Sequence, residues 1–241
     1  MRIIKNITIQ IDEKEVLRYQ GFPVSESEKI KIKQNILHIT REEINNAYFL
    51  YEPQGIYSSL TVEKIMQEGK VILMNGKYLE FNNSIIELLK GVKFLIVGLV
   101  TIGNKVEKKV SELFNQGEYS RAIALDAVGT VAAKYLRNHL NSLVCQEASK
   151  QNLFRTKFFS PGSQDWNISQ QKTIFQLIPA HQIGITLTDS YMMIPQKSLS
   201  WLIGLGKNLA MPFAEEGHSC KTCQAENCQF RKKFDNLWNK I

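Results

Sequence analysis

The 241-residue chain lacks the features that mark membrane-bound proteins and the common nucleotide-dependent enzymes. Its longest apolar run, residues 92–102, is interrupted by Lys93, Gly98 and Thr101 and falls short of the ~18 residues a membrane span needs. The first twelve residues hold no sustained apolar stretch followed by a small-residue cleavage pattern, so no secretory leader is expected and the cytoplasm is the default location. Histidine is scarce: His38, His139, His181 and His218 lie far apart, and none sits in a metalloprotease or hydrolase motif. There is no P-loop and no GxGxxG; Gly204 and Gly206 lack a third glycine. Internal repeats, low-complexity tracts and clear linkers are also missing.

What is present is an ordinary globular composition, 44% hydrophobic, with a formal net charge of +7. Part of the excess is local, at Lys29, Lys31 and Lys33 and again at Arg231, Lys232 and Lys233. Such runs are either solvated faces or a surface that steers an acidic protein partner. No nucleic-acid-binding motif accompanies the charge, so nucleic acid is not the expected partner.

The pattern of elements is mixed. Ile7, Ile9 and Ile11 alternate with polar residues as in a half-buried strand, and Asp12 caps a short helix stopped by Gly21. Ser25 and Glu28 form a capping box for a helix reaching about Asn46. Strands are expected over 48–51 and 56–62 about a turn at 53–55, then a hairpin over 71–81 closed by Asn75-Gly76. A brief helix from Ser84 ends at Gly91, and 92–101 reads as a central strand. Val106, Val110, Leu113 and Phe114 mark a helix stopped by Gly117, and a long helix over 119–147 follows, with Gly129 inside it as a sign of close packing or ligand approach. Residues 160–206 then read as a Pro161-Gly162 turn, a helix from Ser169 to Pro179, and strands over 185–188 and 199–205 about a polar corner at 188–191. Residues 230–241 carry a weak helical pattern. The expectation is one α+β domain, mainly antiparallel sheet with long flanking helices: an N-terminal helix and hairpin part (1–84), a core (85–206) and a cysteine-containing tail (207–241).

Three of the four cysteines fall in Cys220-x2-Cys223-x4-Cys228. Disulfides are rare in the cytoplasm, so this spacing predicts either free thiols on a tail or ligands to zinc or an iron–sulfur cluster, with Cys145 or His218 available as a fourth. Asp126 reads as a surface carboxylate or a ligand contact. Trp166 and Tyr191 read as partly buried aromatics or as the walls of a groove, and Met192-Met193 as core.

The ordered words from Pro161-Gly162 through Asp165-Trp166, 183–195 and Lys197-Ser198, with 125–129 upstream, resemble the activation domain of cobalamin-dependent methionine synthase, in particular its free-standing single-domain relatives. The resemblance covers roughly 85–206. It implies an accessory module that docks on a cobalamin-binding methyltransferase and presents S-adenosylmethionine to the cobalt, with a one-electron donor such as flavodoxin completing reductive methylation. It further implies a cofactor-binding set of Asp126, Arg155, Ser160, Pro161, Gly162, Asp189 and Tyr191. The chain departs from the family's signature of arginine, three residues, glycine and tyrosine: Phe158 stands where the arginine belongs and Ser163 where the tyrosine belongs. Arg155 lies three residues early, so only a bulged segment brings its guanidinium to the same place. Weak S-adenosylmethionine binding is therefore expected. The competing expectations are a corrinoid-protein docking, chaperone or electron-transfer adaptor that holds no S-adenosylmethionine, and an unrelated small-molecule methyltransferase.

Overall fold

β5 (Phe94–Thr101) is the centre of the molecule, with seven of its eight residues buried in a computed structural model describing residues 1–22, 34–163 and 166–210. Apolar residues stand at both odd and even positions of the strand because both of its faces are covered. Ile96 and Val100 point into one core, and Leu95, Val97 and Leu99 into the other. On its two edges β5 pairs antiparallel with β2 (Gln54–Ile65) and β9 (Ser198–Gly206). The sheet continues outward through β3 (Lys70–Leu73) and β4 (Tyr78–Glu80) on one side and β6 (Phe154–Arg155) on the other. β1 (Arg2–Lys5) pairs with the first part of β2, beside the segment that β3 occupies. A separate small hairpin joins β7 (Thr186–Leu187) to β8 (Met193–Ile194).

The first core lies under four helices: α1 (Glu13–Tyr19), α2 (Gln34–Ala47), α4 (Lys105–Asn115) and the long α5 (Tyr119–Ser149). The second lies under α3 (Asn83–Leu89), α6 (Gln170–Leu177) and a 3-10 turn at Ala180–Ile183. The fold class is therefore α+β with an antiparallel sheet flanked by helices. Small residues on the sheet let this packing close. A Cβ at Gly55 would sit 2.3 Å from Leu140 of α5, and one at Gly98 would sit 2.3 Å from the fully buried Trp201 indole.

Most sequence signals become elements. Asp12 caps α1 through Lys14 N, and Gly76 takes the positive φ its hairpin turn needs. Four readings are corrected. Residues 7–11 are not a strand: Asn6, at φ 57°, turns the chain out of the ladder after Lys5, although Ile7 and Ile9 stay buried. Residues 48–50 form a turn closing α2, with Phe49 87% exposed. The expected turn at 53–55 is extended, because Gln54 and Gly55 already pair with Thr101 and Val100. Met192 is exposed rather than core. The capping box at Ser25 and Glu28, the basic runs, the C-terminal helical pattern and Cys220, Cys223 and Cys228 lie outside the described residues. Among the described residues no helix is long and apolar enough to cross a membrane.

Candidate functional site

Most of the predicted site residues are distributed along β9 and the face of α5 that lies beside it. At the start of β9, the Lys197 ammonium is 2.7 Å from Asp126 Oδ1 and 3.0 Å from Thr130 Oγ1. Lys197 is mostly buried, whereas the Asp126 side chain is 52% exposed and keeps a solvent-facing carboxylate. Gly129 makes this junction possible. A Cβ there would sit 2.9 Å from Val106 Cγ1 and 3.3 Å from Lys197 Cε, so its role is close packing of α4 and Lys197 on α5. Glu107 of α4 accepts the Gln196 backbone N–H at 2.7 Å and fixes the entry to β9.

Ser160, Pro161 and Gly162 lie at the outer edge of β9. Ser160 Oγ donates to the Ser200 carbonyl at 2.9 Å, Pro161 is buried, and Gly162 adopts φ 85° while its N–H donates to Trp166 O. That conformation explains the glycine. Asp189 and Tyr191 occupy the turn between β7 and β8: Asp189 is exposed, and half-buried Tyr191 has φ 63°. Thr188 Oγ1 accepts the Met192 N–H and bonds Ser190 Oγ, which holds the turn.

Arg155 lies elsewhere. It pairs with Leu205 at the far end of β9, eight residues and roughly 26 Å of strand from Lys197. The segment between it and Ser160 is bulged. Arg155 opposes Leu205 but Phe159 opposes Leu202, so the edge segment carries one residue more than β9 over the same length. The bulge leaves the Arg155 guanidinium 5.7 Å from the centre of the Phe158 ring. A second guanidinium, that of Arg137 from α5, lies over the same ring at 4.5 Å. Phe158 is itself held edge-on against Trp201, with centroids 6.1 Å apart. Burial lowers the Arg137 pKa to about 10.

The structure thus brings Asp126, Ser160, Pro161 and Gly162 to the first residues of β9, sets Asp189 and Tyr191 on the hairpin leading into it, and puts Arg155 with Phe158 instead of Asp126. The sequence reading missed Lys197 and Arg137. Asp126, Thr130 and Arg137 are spaced by four and seven residues and share one face of α5, a signal that was available. Nothing local marks Lys197 as their partner. Trp166 is not a groove wall: it is 2% exposed, stacks on Phe81 at 4.7 Å and donates its indole N–H to Glu80 O. Cys145 lies half-buried on α5, and among the described residues no group of three His, Cys, Asp or Glu could hold a metal. A separate open hollow between β1 and the end of α5, lined by Ile4, Tyr57, Leu143 and Gln146, is bridged by the Arg2–Glu147 ion pair.

Comparison with known proteins returns a fold. The chain superposes on a crystal structure described as the MetH reactivation domain bound to AdoHcy, with a TM-score of 0.61 and 10% identity, covering 88% of this chain and 80% of that one. No family model matches, and no curated protein does. At this identity the likeness establishes a shared reactivation-domain fold.

Proposed function

We propose that this protein is a reactivation module for a cobalamin-dependent methyltransferase, docking on the cobalamin-bearing protein and holding S-adenosylmethionine against it. The observation that carries this reading is the shared fold, across most of both chains, with a reactivation domain seen bound to AdoHcy. S-adenosylmethionine, when bound, supplies the methyl group. The chain's own residues bind and orient it, and the docked surfaces exclude water. The polar residues offer an exposed carboxylate at Asp126 and, about three helical turns further along α5, a guanidinium fork at Arg137, so acceptor and donor groups are available to different parts of a ligand. Tyr119 and Ile123 precede Asp126 on α5, and Met192 and Ile194 precede Lys197; all four are about half exposed or more and provide apolar area for docking.

A second reading, docking without S-adenosylmethionine, is favoured by one observation: Lys197 already neutralises Asp126. Two measurements test the readings, and the second separates them. Mixing the protein with its host's cobalamin methyltransferase in the cob(II)alamin state should change the cobalt spectrum under both. Calorimetry with AdoHcy should give saturable binding only under the first. An unchanged spectrum with no association at low salt sinks both.

A further inference from the structure

We propose that Arg137 is a carboxylate-binding residue, held by Phe158 and Asn138 with one edge of its guanidinium presented to a ligand. The geometry divides its five N–H donors. Nε and Nη2 converge on one acceptor, the Asn138 Oδ1 atom, at 3.2 and 2.9 Å. One N–H of Nη1 and the second N–H of Nη2 point along the end of the fork, the edge that matches the two oxygens of a carboxylate, and the other Nη1 N–H lies on the Cδ side. No carboxylate pairs with Arg137 among the described residues. Its face is taken by Phe158, whose orientation Trp201 sets, so the fork cannot rotate freely. Arg155 on the same ring adds a second positive charge. A half-buried cation with a donor edge that meets no protein acceptor among the described residues, and with a like charge nearby, is an arrangement that an anion stabilises, and burial already lowers its pKa.

The identity of the ligand rests on the proposed function: it is the α-carboxylate of an S-adenosyl amino acid. The chain then has a guanidinium beside the Phe158 ring, supplied by a helix instead of the edge segment. Asp126 is eleven residues away on α5, about 16 Å, so it cannot serve the same amino-acid group. It is left for another part of the ligand or for the partner.

The test compares AdoHcy with 5′-methylthioadenosine, which has the same nucleoside and no carboxylate, by calorimetry on the full chain and on Arg137→Gln and Arg137→Lys. The expected result is that Arg137→Gln weakens AdoHcy roughly ten- to a hundredfold and leaves methylthioadenosine unchanged, with Arg137→Lys in between. Retained methylthioadenosine binding also shows that the variant is folded. Equal AdoHcy affinity in wild type and Arg137→Gln overturns the inference while leaving the proposed function standing. If wild type binds neither compound, the S-adenosylmethionine reading fails, and the inference is judged by nuclear magnetic resonance alone. The Arg137 Nε–H signal should shift saturably with acetate; no shift overturns it.

Discussion

Tyr51 carries a hydroxyl that is buried and finds no partner among the described residues, and that burial raises its pKa. An unmet buried hydroxyl costs stability, so Tyr51→Phe should raise the unfolding free energy by up to about 1 kcal/mol. The pH dependence follows from the direction of the shift. A phenol whose folded-state pKa lies above its unfolded value of ~10 contributes no penalty below that pH and loses stability as pH rises past it. Denaturant unfolding from pH 8 to 11 should therefore show a steeper alkaline decline in wild type than in Tyr51→Phe; parallel curves would contradict this. Arg137 has the opposite sign. Its lowered pKa means that the charged form carries a penalty at neutral pH, relieved only above about pH 10. Such a cost is consistent with a group kept for binding.

At the scale of elements, the β3–β4 hairpin projects from the sheet, and three polar contacts anchor it to the region around α6. Trp166 donates to Glu80 O at 2.7 Å, Glu80 N donates to Gln170 Oε1 at 3.1 Å, and Lys77 Nζ donates to Gln176 O at 2.8 Å. The first is the most buried. Trp166→Phe should cost about 1–3 kcal/mol and leave the Glu80 carbonyl without its donor. Because β5 is enclosed by two strands and two cores, the loss should remain local. Amide exchange should quicken within residues 70–81 and stay unchanged in β5. Uniformly faster exchange would show that the hairpin and the sheet open as one unit. The α5–β9 seam responds differently: its Asp126–Lys197 pair is half exposed, so breaking it should matter to binding more than to stability.

For the whole molecule, a charge of +7 together with exposed Tyr119, Ile123, Met192 and Ile194 suits an encounter that is steered electrostatically and completed by apolar contact. Affinity for the cobalamin-bearing partner should accordingly fall as salt shortens the screening length from ~10 Å at 0.1 M to ~3 Å at 1 M, with most of the change in the association rate. Surface plasmon resonance at several salt concentrations checks this. An affinity that holds or rises with salt would assign the docking to the apolar residues alone.

The α+β class, the helices α1 and α3 to α6, the Asn75-Gly76 hairpin and the central strand were legible in the sequence because each follows from neighbours a few residues apart: caps, helical spacing, turn glycines and an apolar run. The words around Pro161-Gly162 and 183–198 likewise pointed to the fold the comparison returned. Only the tertiary structure decided the rest, because those outcomes depend on partners far away in the chain. Residues 7–11 alternate as a strand does, yet the edge of β2 was taken by Arg2–Lys5 and β3. Asp126 looked like an open carboxylate until Lys197, seventy-one residues later, was packed against it through Gly129. Phe158 looked like the loss of an arginine, and the bulge after Arg155 together with the pitch of α5 set two guanidinium groups on its ring.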